Sequence, residues 1–392
     1  MTNIAILFSL ALKGQRSTFH GIVDYAAKHG PWFCHFQEGR TGKRMQDFAR
    51  TGVSGVIVSG VSREDAPEIA ALGVPVVFVE PWAEMLAPDF PIPGAPYVRR
   101  DSRAIGAMAA RYYLERGYES FAFVGVPKGH PWSAERRLGF EETLAEAGHG
   151  CAVYDRFTAR DRNDWPGERK RLVAFLQGLP RPSAVFAPMD ARARLVLEAC
   201  AVAGLRVPDE IAVLGVDNDP LLCESTVPTL SSIHTGGFRR GQIAAEMLDA
   251  LMHGREPRER AVSQPPIAVM TRGSTGYAAM SDPAISKAIA FIRKHARTGG
   301  IDVGDIVQAV GCSRRYLELR FRARLGRSIR DELLGERVEW VKSLLSATNL
   351  SIGEIAERAG FTRESHLGLL FRKATGMTML QWRRENRDTS DE

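Results

Sequence analysis

The chain contains no run of apolar residues long enough to cross a bilayer, which excludes a membrane-spanning helix. It has five cysteines, Cys34, Cys151, Cys200, Cys223 and Cys312, and none forms a Cys-x-x-Cys pair. An odd number at wide spacing indicates neither a disulfide framework nor a zinc site, and fits a reducing cytoplasm. The opening "MTNIAILFSLALKGQ" lacks the basic segment of a signal peptide, and Ile4 to Phe8 reads as a buried strand. Nucleophile elbow, phosphate loop, dinucleotide fingerprint and His-Glu metal spacing are all missing, so no catalytic residue, metal ligand or cofactor is assigned. The nearest approach to a reactive cluster is "CHFQE", Cys34 to Glu38. Neighbours on a strand point to opposite faces, so this stretch is expected to be plain strand.

What is present is the composition of an ordinary globular protein, 44% hydrophobic and 25% charged. At 392 residues the chain exceeds one core and suits two or three domains. The net charge of +6 is unevenly placed. Residues 282–392 carry 20 Lys and Arg against 15 Asp and Glu, which leaves residues 1–281 nearly neutral. A basic segment on a neutral body suggests a polyanionic partner for that segment.

Up to about Met270 the chain alternates short apolar runs, "IAILF", "GVIVSG", "PVVFVE", "SFAFVGV", "SAVFA" and "IAVLGV", with segments of helical length. Two of those segments close at Gly117 and Gly148, as helix ends do. Continuous Val, Ile and Phe runs between helices indicate parallel strands covered on both faces, a doubly wound α/β fold. A Gly, Ser, Thr and Pro-rich stretch from Thr271 to Pro283 ends this rhythm, and everything after it is helical. The expected domains are residues 1–275 and 283–392.

The helical part contains an internal repeat: "DVGDIVQAVGCSRRYLELRFRARLG", Asp302 to Gly326, and "SIGEIAERAGFTRESHLGLLFRKATG", Ser351 to Gly376. Asp302 and Ser351 are N-cap residues, each followed three positions later by an acid, Asp305 or Glu354. Gly311 and Gly360 end the first helix of each copy, and Ser313 and Thr362 are expected to cap the second. This spells helix, tight turn, helix, twice. In the second helices Leu317, Phe321 and Leu325, and Leu367, Leu370 and Phe371, form the buried stripe. Arg314, Arg315, Glu318 and Arg322 lie on another face in copy one, and Glu364, Ser365, Gly368 and Arg372 in copy two. Seven arginines and one acid lie between Ser313 and Arg330, suited to phosphate neutralisation and to paired hydrogen bonds with guanine. The connecting segment, Ser328 to Ala347, reads as one helix of about 30 Å, near the 34 Å or so of a DNA turn.

The repeat, with "QWRR" after it, resembles the signature of the AraC-type transcription regulators over about the last 105 residues. Met379 stands where that family usually has proline, and Leu367 where it usually has an aromatic residue. The resemblance implies double-stranded DNA as a partner, with Arg314, Arg315 and Glu318 facing bases in copy one and Arg363, Glu364 and Ser365 in copy two.

Within residues 1–272, "DSRAIGAMAARYYLERGYESFAFVG", "ERRLGF", "DARARLVLEACAVAGLRVPDEIAVLGVDND" and "PTLSSI" resemble, in order, the sensor of LacI/GalR-type repressors. That implies a periplasmic-binding-protein-like fold of two lobes and a small sugar as effector. By position it implies that Arg136 and Asp217, with Asn218 beside it, bind ligand hydroxyls. A guanidinium donates in a fixed fork, and a carboxylate accepts from two adjacent hydroxyls. Asp217 also follows a strand's carboxyl end, where ligands of open α/β sheets bind. Turn formation remains open for Asp217, and a surface ion pair for Arg136. Asp190 begins a helix, so N-cap duty is expected there, with ligand contact secondary. Met189 occupies a position where the family often has a polar residue, and Trp82 or Trp132 could wall a sugar ring or belong to the core.

A sensor of this kind placed ahead of an AraC-type domain resembles the xylose-operon type of regulator. The implied effector is D-xylose or a similar sugar, and the implied role is an activator that meets RNA polymerase as a homodimer. The rival reading is an amidotransferase-like enzyme with a cysteine nucleophile, fused to the helix-turn-helix pair.

Overall fold

The apolar runs become two separate six-stranded sheets, each with strands from distant parts of the chain. The computed structural model describes residues 2–11, 13–37, 48, 50–126, 130–154, 165–275, 282–296, 300–348, 350–375 and 377–386. Glu38, Gly376 and positions 276–281 of the expected domain boundary lie outside the described residues.

The first unit comprises Met1–Asp101 and Thr235–Pro266. Its strands are β1 (Thr2–Leu7), β2 (Trp32–Gln37), β3 (Gly55–Val58), β4 (Val76–Val79), β5 (Tyr97–Arg100) and β11 (Ala261–Gln264), ordered β11-β5-β4-β3-β1-β2. All the pairings are parallel. The second unit holds β6 (Ser120–Val124), β7 (Ala152–Tyr154), β8 (Ser183–Phe186), β9 (Ile211–Val216), β10 (Ser231–His234) and β12 (Ala268–Met270), ordered β12-β10-β9-β8-β6-β7. Only the β10–β12 pair is antiparallel. Every residue of β3, β4, β8 and β9 is buried, as strands covered on both faces require.

The covering helices are α1 (Lys13–His29), α2 (Ala66–Ala70), α3 (Ser102–Leu114), α4 (Pro131–Glu146), α5 (Trp165–Gln177), α6 (Asp190–Val202), α7 (Pro220–Glu224) and α8 (Gly237–Met252). Helices α3 and α4 meet backbone to backbone. A Cβ on Gly106 would fall 1.9 Å from the Arg136 carbonyl oxygen, and one on Gly139 would fall 2.0 Å from that of Arg103. The glycine of "RLGF" therefore seats the turn of α4 that carries Arg136.

After β12 the chain is helical: α9 (Pro283–His295), α10 (Val303–Val310), α11 (Arg314–Leu325), α12 (Ile329–Ala347), α13 (Ile352–Arg358), α14 (Glu364–Thr375) and α15 (Met379–Asn386). Ile285, Ile292, Ile306, Leu317, Phe321 and Ile329 anchor one core around the first repeat. Val341, Leu345, Ile355, Leu367, Phe371 and Trp382 anchor another around the second. The expected stripes are thus confirmed, with Leu317, Phe321, Leu367 and Phe371 fully buried. The 19-residue α12, about 28 Å long, runs between the repeats. It is fastened to both: Arg337 donates to the Ile301 carbonyl at 2.8 Å and lies 5.8 Å from the Phe361 ring centre.

Asp302 and Ser351 form full capping boxes with Asp305 and Glu354, and Ser313 caps α11 through the Tyr316 N–H. Gly311 and Gly360 adopt φ of 80° and 75°, where a side chain would be strained. One cap differs from expectation. Helix α14 starts at Glu364, and the Arg363 carbonyl accepts from the N–H groups of His366 and Leu367, so Arg363 and not Thr362 holds the N-cap position. The physical reason is one extra residue in the turn, with four steps from Gly360 to the helix start against three from Gly311. In structural register, Glu364, Ser365, Gly368 and Arg372 consequently match Arg314, Arg315, Glu318 and Arg322.

Candidate ligand site and DNA-reading face

At the carboxyl ends of the second unit's strands the chain builds a tight turn, Asp217–Asn218–Asp219, directly after β9. Asp217 has φ of 104° and Asn218 of 51°, a left-handed pair without glycine. Such backbone persists only where neighbours hold it, and it concentrates at functional sites. Three consecutive N–H groups are held. Asp217 donates to the Ile233 carbonyl at 3.0 Å, Asn218 to Ser232 Oγ at 2.9 Å, and Asp219 to Asp190 Oδ2 at 2.7 Å. The Asn218 side-chain oxygen accepts from Arg272 at 2.8 Å, and Arg272 also donates to the Leu230 carbonyl. Asp219 caps α7 by accepting the Leu221 N–H.

Asp190 does not act as an N-cap: that position belongs to Met189, and Asp190 is the first helical residue of α6. Its side chain turns inward, accepting from the Ser232 hydroxyl, the Asp219 N–H and the Cys223 thiol. Gly215 on β9 gives it room, since a Cβ there would sit 2.4 Å from Asp190 Oδ1. Burial, and next the charge of Asp217, push the Asp190 carboxyl up to about 7, against its hydrogen bonds with Ser232, Asp219 and Cys223. Asp190 is thus the peg on which the 217–219 turn hangs.

Arg136 is not a surface ion pair. It is 2% exposed, donates to the Pro188 carbonyl and lies 4.9 Å from the Trp132 ring centre. Arg136, Asp190, Asp217 and Asn218 therefore belong to one constellation of the second unit, around the ends of β8 and β9. Trp132 joins it beneath Arg136, whereas Trp82 belongs to the first unit and is 53% exposed. Sequence reasoning gave no role to Ser232, Cys223 and Arg272; "PTLSSI" contained the first, but their hydrogen bonds depend on pairing distant in sequence.

Three of the five cysteines lie in settings that disfavour a thiolate. Burial raises the Cys34 thiol, and pushes those of Cys151 and Cys200 up to about 12, the opposite of activation. Cys34 lies on β2, as expected of plain strand. Among the described residues no helix is long and apolar enough to cross a membrane, and no group of three or more His, Cys, Asp or Glu is placed to hold a metal.

On the repeats, Arg314, Arg315, Arg322, Arg363, Glu364, Ser365 and Arg372 are exposed, and Glu318 is half-buried. Two of the seven arginines between Ser313 and Arg330 are engaged within the protein. Arg320 pairs with Asp282, the N-cap of α9, at 3.2 Å, and Arg327 pairs with Glu332 at 2.7 Å. Arg315 and Arg322, seven residues apart on α11, share one exposed face.

Two α/β units, joined by a chain that passes between them after Asp101, His234 and Pro266, define a periplasmic-binding-protein-like sensor body, and the paired helix-turn-helix units after it define a DNA-binding regulator. Residues 110–275 match a periplasmic binding protein-like domain family, and residues 306–385 a helix-turn-helix domain family. The xylose operon regulatory protein of Escherichia coli (strain K12) is 31% identical over 388 residues, which span 98% of this chain and 97% of that one. Its counterpart in Haemophilus influenzae is 29% identical over 382 residues, 97% of each chain. The solved structure of a xylose-binding transcription activator superposes with a TM-score of 0.62, at 31% identity and 98% coverage of both chains. The chain belongs to the family of the xylose operon regulatory proteins, with an AraC-type DNA-binding half.

Proposed function

We propose that this chain is a sugar-responsive transcription activator of the cytoplasm, with residues 1–275 sensing a pentose such as D-xylose and residues 283–392 binding operator DNA. The observation that carries the reading is the held 217–219 turn at the strand ends beside Arg136, in a chain whose other half is a tandem reader. In this reading Asp217 accepts from neighbouring sugar hydroxyls, Arg136 and Asn218 complete the polar set, and Trp132 offers an apolar wall. Asp190 acts through the turn as a positioning residue. The relatives that carry xylose in their names support the sugar, because they match over the full chain.

Arg314, Arg315, Glu318 and Arg322 on α11, and Arg363, Glu364, Ser365 and Arg372 around α14, face DNA. A homodimer presents four such readers, and RNA polymerase is the partner of the bound complex. Sugar controls DNA binding to the extent that it favours the DNA-competent arrangement. A route is available in the second unit: Ser232, which holds Asp190 and Asn218, sits in β10 opposite Met270 of β12, and Met270 packs with Val338 and Val341 of α12. A thermal-shift panel of pentoses and hexoses tests the reading, since binding to the native state stabilises by mass action. Stabilisation by D-xylose or a related pentose supports it, and indifference to the whole panel contradicts it.

A further inference from the structure

Both second helices expose a leucine at the same place. Leu319 on α11 is 61% exposed and Leu369 on α14 is 73% exposed. In the corrected register they are equivalent, each two residues past the first buried leucine, Leu317 or Leu367, and two before the buried Phe321 or Phe371. Two residues turn a helix by about 200°, so each leucine stands opposite its own core stripe, at the outermost line of the helix. Neither residue contributes to either repeat's core. An aliphatic side chain standing in water gains nothing for the fold, and here it recurs in two copies whose exposed first turns differ, Arg314 and Arg315 against Glu364 and Ser365.

The surroundings select the occupant. One turn before Leu319 is Arg315 and one turn after it is Arg322, both exposed; Leu369 is followed by exposed Arg372 and Lys373. Cations around a lone aliphatic group suit a polyanion, not the apolar core of a protein interface. The major groove offers one aliphatic group on a base edge, the thymine C5-methyl. We infer that Leu319 and Leu369 are specificity residues, each packing on a thymine methyl in the half-site read by its helix. The inference rests on the DNA-binding reading above and deepens it: each half-site contains a thymine at a set position beside the phosphates or guanines met by Arg315, Arg322 and Arg372.

The test uses the full chain. Preferred duplexes are selected from a random pool, with and without D-xylose, and each thymine of a selected duplex is replaced in turn by deoxyuridine, which lacks only the methyl group. Anisotropy at constant salt gives the affinities. One thymine per reading helix is expected to be methyl-sensitive, with about a fourfold loss for the wild type, the worth of one buried carbon at ~0.8 kcal/mol. Leu319→Ala weakens binding to the thymine duplex and no longer distinguishes thymine from uracil at one of these positions, and Leu369→Ala does the same at the other. Both variants keep the wild-type salt dependence, because no phosphate contact is removed. Selected sites that bind tightly with every thymine replaceable, or leucine variants that keep the wild-type preference for the methyl, overturn the leucine assignment alone. Failure to enrich any sequence overturns the DNA-reading function on which it rests.

Discussion

Ser232 and Met270 face each other across the antiparallel pair of the second sheet, β10 with β12. Ser232 holds the 217–219 turn through the Asn218 N–H, and Met270 lies in the core of the second helix-turn-helix repeat. A shift of the 217–219 turn therefore meets the DNA-binding half after one rung of sheet. Met270→Ala, at a position 5% exposed, is expected to lower stability by about 2 to 5 kcal/mol. It is also expected to shrink the effect of sugar on operator affinity while the sugar-induced thermal shift persists. Coupling of wild-type size in that variant would place the route elsewhere.

Asp190 gives the protein a pH dependence of definite sign. Its carboxyl is raised to about 7 in the fold, above the roughly 3.9 of an unfolded aspartate, so between these values the native state holds more proton than the unfolded one. Its contribution to stability is therefore greatest at low pH, declines by up to about 1.4 kcal/mol per pH unit as pH rises toward 7, and is flat above that. Urea unfolding of wild type and Asp190→Asn at several pH values isolates it. The difference between the two should fall from pH 4 to 7; a constant difference would show that the group does not titrate there.

The caps of the two repeats should respond unequally. Ser313 and Ser351 each accept a backbone N–H in the first turn of their helices, so Ser→Ala at either costs about 1 kcal/mol. Thr362 is exposed and precedes the N-cap of α14, and Thr362→Ala should stay within about 0.5 kcal/mol. Chemical denaturation of the three variants measures this, and an equal loss at Thr362 would return the cap to it.

Much of the architecture was legible because it is carried by local signals. The buried runs of β1, β3, β4, β6, β8 and β9 and the capping boxes of the repeats depend on periodicity and on residues three apart. Short strands such as β5, β7, β10, β11 and β12 have no such pattern, and exist because a neighbour from far along the chain pairs with them. The site divides the same way. Asp217 and Arg136 announced themselves by chemistry and position, but the inward turn of Asp190 needed Ser232, 42 residues away, and the room left by Gly215. Thr362 misled because threonine is a good cap, whereas the turn in copy two is one residue longer.

The most direct test of the central claim is operator binding by the full chain, measured by anisotropy with and without D-xylose, for wild type and Asp217→Ala. The sugar is expected to change affinity or preferred half-site spacing for the wild type, and Asp217→Ala is expected to keep basal DNA binding but lose the response. Wild-type binding that no pentose alters, or an Asp217→Ala protein that responds like the wild type, would contradict it.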